Sequence, residues 1–100
     1  LKYLYGGFKV LGYGRFTDTE KMVVLINSGF DEARVKVSVW EVGVTDDEEM
    51  VEVIMSNEEG YTMEKKVHPV TSGVLDITLP RVSAILLKAV EIEKFQFEYQ

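Results

Sequence analysis

The chain has 100 residues, 46% of them hydrophobic and 28% charged, with a formal net charge of −6 and no cysteine. That length suits one domain and buries roughly 60–70% of the surface that the unfolded chain exposes, so neither a disulfide nor a metal is needed to hold it. The lack of cysteine excludes disulfides and thiolate metal sites, the acidic balance opposes nucleic-acid backbones and anionic membrane surfaces, and no run approaches the roughly eighteen apolar residues of a membrane-crossing helix.

The chain opens at Leu1 rather than a methionine, which suits a piece of a longer protein. Phe8 to Leu11 and Tyr13 to Phe16 read as short strands interrupted at Gly12, followed by a polar turn over Thr17 to Lys21. Met22 to Ile26 is apolar at every position, which predicts a central strand covered on both faces, ended by Asn27 and the turn residue Gly29. Arg34 to Val42 alternates, with Val35, Val37 and Val39 on one face and Lys36, Ser38 and Trp40 on the other. Trp40 is the odd member of that polar face.

Thr45 to Glu49 (TDDEE) reads as a solvated acidic loop before a strand at Met50 to Met55, and Ser56 to Gly60 (SNEEG) as a turn before Tyr61 to Val67. Val74 to Leu79 alternates again, with Leu75, Ile77 and Leu79 inward and Asp76 and Thr78 outward. Pro80 cannot donate to a ladder and marks a corner before the last core strand, Val82 to Ala89. In the tail, Val90 to Gln100, the apolar phase changes: Val90 and Ile92 share one face and Phe95, Phe97 and Tyr99 the other. With no helical periodicity, repeat or linker, the expected fold is a single all-β domain, an antiparallel Greek-key-like β-sandwich of about eight strands.

No residue set announces chemistry. His68 is the only histidine and stands directly before Pro69, so a structural role is favoured over a catalytic or zinc-binding one. Asp46, Asp47, Glu48 and Glu49 lack the DxDxDG spacing and glycine of a calcium loop, and the same solvated reading applies to Asp31 with Glu32. A glycosidase needs two carboxylates across a sugar cleft, whereas these acids fall in turns. Gly12 and Gly14 imitate part of a phosphate-binding loop but precede no helix. Trp40 is the one tryptophan and the sole candidate for stacking on a sugar, while Tyr3, Tyr5, Tyr13, Tyr61 and Tyr99 fall in different elements, which favours packing roles. The composition leaves the compartment open, with the cytoplasm preferred over secretion.

Two segments, Gly12 to Ser28 (GYGRFTDTEKMVVLINS) and Gly73 to Lys88 (GVLDITLPRVSAILLK), together with the entry Phe8 to Leu11 (FKVL), resemble the small C-terminal β domain of α-amylase-family glycoside hydrolases. The stretch Val37 to Val44 (VSVWEVGV) is most similar to the neopullulanase, cyclomaltodextrinase and maltogenic amylase branch. The resemblance stops before the tail, and Leu1 to Gly7 (LKYLYGG) fits the family's entry only loosely.

The resemblance implies a non-catalytic accessory domain that stabilises a (β/α)₈ barrel of the same chain. The parent enzyme would act on α-glucosidic bonds in starch fragments, pullulan or cyclodextrins. It implies no catalytic, metal or cofactor residue here, because the family's lie in the barrel. Leu1 to Gly7 would be the lead-in from that barrel, and Leu1, Leu4, Tyr5, Phe8 and Trp40 the domain interface, several of them exposed in the isolated chain or covered by a second copy. The alternatives are an independent carbohydrate-binding module and an Ig-like spacer of a surface protein.

Overall fold

The computed structural model describes residues 2–7, 9–17 and 19–92. Among them are nine strands: β1 (Lys2–Gly7), β2 (Val10–Phe16), β3 (Lys21–Asn27), β4 (Ala33–Val37), β5 (Glu48–Asn57), β6 (Gly60–Thr62), β7 (Val67–Thr71), β8 (Val74–Leu79) and β9 (Ser83–Glu91). A single 3₁₀ turn, Val39–Val42, is the one helical element among the described residues. All pairings are antiparallel, in the order β1-β2-β3-β9-β5-β7-β8-β4, with β6 beside β5. The fold is all-β and nearly closed. The β3–β4 and β8–β9 connections pass between its two layers, so β3 and β9 are neighbours along Met22↔Lys88 to Asn27↔Ser83.

The layers are joined through β7, whose first half pairs with β5 (Val67↔Val51 to Pro69↔Glu49) and whose second half pairs with β8 (Val70↔Leu75, Thr71↔Val74). Pro69 stands where the strand changes partner, a position at which a missing N–H costs least. The core lies between the layers. Val23, Leu25, Ile85 and Leu87 come from the larger sheet, and Val35, Val37, Leu75, Ile77 and Leu79 from the smaller one. Each such aliphatic side chain stabilises the fold by about 1.5–3 kcal/mol when fully buried. In β8 the alternation lies as expected: Leu75, Ile77 and Leu79 are buried, and Asp76 and Thr78 exposed.

Four expectations change. Gly12 does not interrupt a strand, because β2 runs unbroken through Gly12 and Gly14, both buried. A side chain at Gly14 would put its Cβ 2.7 Å from both Leu4 Cδ1 and Val42 Cγ1, so the glycine is what lets those residues close on the sheet. The lead-in is itself a strand: β1 pairs with β2 from Lys2↔Gly14 to Gly7↔Val10. Tyr61 to Val67 divides into β6 and β7, which belong to different parts of the sheet.

Arg34 to Val42 is not one strand either. β4 ends at Val37, and the 3₁₀ turn then brings Val39 and Val42, three residues apart, to one side, where both are buried. It closes with Gly43 in the left-handed region at φ 84°. The phase change predicted around Lys94 lies outside the described residues. Up to Ile92 the chain follows β9, and the Ile92 N–H donates to the Asp47 carbonyl at 2.9 Å.

Candidate interaction surface

The outward face of β1, β2, β3, β9 and β5 is built by cross-strand rows, since residues directly opposite one another share a face. One row runs Leu11↔Ile26↔Ala84↔Ser56 and continues to Tyr61 on β6. The next runs Tyr3↔Tyr13↔Val24↔Leu86↔Ile54, and a third Arg15↔Met22↔Lys88↔Val51. The opposite side of the same strands carries the fully buried core residues.

This corrects the two-sided burial expected of Met22 to Ile26. β3 is central within its sheet, yet Val23, Leu25 and Asn27 are buried while Met22 and Val24 are half-buried and Ile26 is 38% exposed. Leu11 at 41% and Tyr3 at 54% extend the open apolar area to the sheet edge. A shallow hollow lined by Ile26, Ser56 and Ala84 lies at one end of the face, and the ion pair between Lys88 and Glu20, 3.3 Å, lies at the other.

The residues expected at an interface do not gather there. Leu1 and Phe8 lie outside the described residues. Leu4 is buried in the domain's own core and Tyr5 packs half-buried against it, because β1 carries a bulge between Tyr3 and Tyr5 that turns both Leu4 and Tyr5 inward. Leu4 is thus closed off by the domain itself.

Trp40 is 58% exposed, but on the 3₁₀ turn rather than on a strand face. Its backbone N–H donates to the Gly73 carbonyl at 3.0 Å, and a Cβ at Gly73 would lie 2.7 Å from the Trp40 Cβ. Tyr3 and Tyr13 meet edge to face, their centroids 5.4 Å apart and planes at 71°, which is not the coplanar pair of a flat sugar platform.

The acidic loop is wired into the fold rather than simply solvated. The Asp46 carboxylate accepts both the Ser72 and Gly73 N–H groups at 2.8 Å, clasping the β7–β8 turn, where both residues have positive φ. Glu48 Oε1 accepts from Lys21 Nζ at 2.8 Å and from the Thr45 N–H at 2.9 Å. Burial pushes the Glu48 carboxyl up, but the Lys21 ammonium and the Thr45 donors outweigh it and hold the group below its ordinary value. Asp76 is also held low, first by its hydrogen bonds from Arg34 at 3.0 and 2.8 Å, across an exposed β4–β8 pair.

Glu52 was not singled out by the sequence, yet it is a buried carboxylate. It faces inward opposite Leu87 and meets His68 Nε2 at 2.6 Å, joining β5 to β7 beyond their ladder. Its place in the alternation Met50, Glu52 on β5 was the available signal, hidden by the bulge between Glu52 and Ile54. Among the described residues no group of three or more histidine or acidic side chains could hold a metal ion. No protein-family model matches the chain, and none of the curated proteins is significantly similar to it.

Proposed function

We propose that this chain is a non-catalytic accessory β domain of an α-glucan-hydrolysing enzyme of the α-amylase and neopullulanase type, which stabilises a (β/α)₈ catalytic barrel of the same polypeptide. The observation that carries the reading is that its two family-like segments, Gly12 to Ser28 and Gly73 to Lys88, are joined through the β3–β9 ladder. Together with β2 they build the middle of a sheet whose outer side remains apolar and partly open. An Ig-like spacer has no use for such a face.

The test is the upstream reading frame together with an assay. About 400 residues of preceding sequence should hold a barrel of ordinary family size, and the isolated 100-residue chain should melt cooperatively yet release no reducing sugar from maltodextrin. A frame without a barrel, or purified chain with hydrolytic activity, overturns the proposal. Exposed Trp40 supports a second reading as a sugar-binding module. Titration with maltoheptaose followed by tryptophan fluorescence decides it, a saturable change favouring the module.

A further inference from the structure

We infer that the β7–β8 turn is a binding site for a carboxylate, built from the backbone N–H groups of Ser72 and Gly73, and that the chain fills it with its own Asp46 as an internal ligand that latches the Trp40 turn. The device belongs to the turn itself and stands whether or not a barrel precedes the domain.

The donors come from the geometry of the hairpin. Val70↔Leu75 and Thr71↔Val74 bring β7 and β8 together over a connection of two residues, Ser72 and Gly73, with φ of 52° and 75°. Two-residue hairpins favour positive φ at their central positions, which leaves the central N–H groups outside the ladder. Successive N–H groups turned to one side form a concavity that holds an anion. The Asp46 carboxylate fills it oxygen for oxygen: Oδ2 accepts the Ser72 N–H and Oδ1 the Gly73 N–H, each at 2.8 Å. That is the length of a charge-assisted bond.

Shape and charge select the class of ligand. Two donors spaced to meet the two oxygens of one group suit a planar carboxylate, whereas a phosphate would carry a second negative charge into the neighbourhood of Asp47 and Glu49, in a chain of net charge −6. The same field keeps free anions dilute at the turn, so occupancy depends on tethering, which raises the effective concentration of a linked ligand. The tether is also held in place beforehand. The Glu48 N–H donates to the Thr45 carbonyl at 3.0 Å, and Glu48 Oε1 accepts from the Thr45 N–H at 2.9 Å and from Lys21 Nζ at 2.8 Å, which fixes the loop that carries Asp46.

Gly73 is clasped from two sides. Asp46 takes its N–H, and its carbonyl accepts the Trp40 backbone N–H at 3.0 Å, while the Trp40 side chain packs so near that a Cβ on Gly73 would collide with it. Emptying the carboxylate site therefore loosens the seat of Trp40, the chain's one tryptophan, and opens the two donors to an acid from outside.

Chemical rescue with formate tests this on the 100-residue chain. In Asp46→Ala the site is vacant, and a formate dissociation constant of about 0.1 M raises the folded-to-unfolded ratio about fourfold in about 0.3 M formate. That gain should exceed the gain from equal sodium chloride, shift the Ser72 and Gly73 amide resonances along a saturation curve, and return tryptophan emission towards the wild-type spectrum. The wild-type chain and Asp46→Asn, whose side chains still occupy the site, should gain no more from formate than from chloride. Where Asp46→Ala does not fold in low salt, recovery of its native circular dichroism by formate and not by chloride supports the site, and recovery by neither overturns it. Equal effects of formate and chloride, an equal gain in the wild-type chain, or Ser72 and Gly73 resonances that ignore formate also overturn it, and each of these leaves the accessory-domain reading intact.

Discussion

The side-chain amide of Asn27 donates to the carbonyl of Pro80, 53 positions away, at 3.0 Å, and so ties the end of β3 to the corner that leads into β9. The same amide donates to the Asp31 carbonyl at 2.9 Å, while its Oδ1 accepts the Gly29 N–H at 2.9 Å. Ser83 Oγ donates to the same Pro80 carbonyl at 2.7 Å, and the Val82 N–H to the Gly29 carbonyl at 2.9 Å. One buried side chain thus satisfies backbone groups of both connections that pass between the layers.

Asn27→Ala should therefore destabilise the domain by about 2–3 kcal/mol, since several buried polar groups lose their partner at once. Chemical denaturation measures it. A loss under about 0.5 kcal/mol would show that water replaces the amide without penalty.

Asp46 and Gly73 form the second such device. Asp46→Ala removes two charge-assisted bonds to the β7–β8 turn and should cost about 1–2 kcal/mol. Gly73→Ala should cost at least as much, because φ is +75° and the new Cβ would collide with Trp40. If Gly73→Ala is harmless and leaves tryptophan emission unchanged, the close approach of Trp40 to the turn is wrong.

Acid stability should report on Glu48. Its carboxyl is held below the ordinary value of 4.5, so the stabilisation it brings is complete above the unfolded value and is lost as pH falls through the lower folded one. The difference in melting temperature between the wild-type chain and Glu48→Gln should be constant at neutral pH and shrink once the pH drops below about 4.5. An undiminished difference in stronger acid would mean that the Lys21 contact contributes nothing through charge.

Alanine substitution reads the register of β8. Leu75→Ala and Ile77→Ala should each cost about 2–5 kcal/mol, and Thr78→Ala under about 0.5 kcal/mol, because the first two are buried and the third points to solvent. Equal losses at Ile77 and Thr78 would contradict the inward face of that strand.

By itself the sequence determined the class of fold and most strand positions. Alternation in Val74 to Leu79, the turn residues after Asn27 and the corner at Pro80 are local signals, set by side-chain period and by the missing N–H of proline. Tertiary structure decided what no local signal carries. Met22 to Ile26 is apolar on both faces, and only the assembled sheet distinguishes the face that meets the core from the one left open. Asp46 and Glu48 look like solvated charge until β3 and the β7–β8 turn arrive beside them, and Glu52 becomes a buried carboxylate only because β7 brings His68 to it. Leu4 and Tyr5 face inward because a bulge shifts one residue of β1 against β2, a choice made by pairing between strands rather than by the order of residues within one.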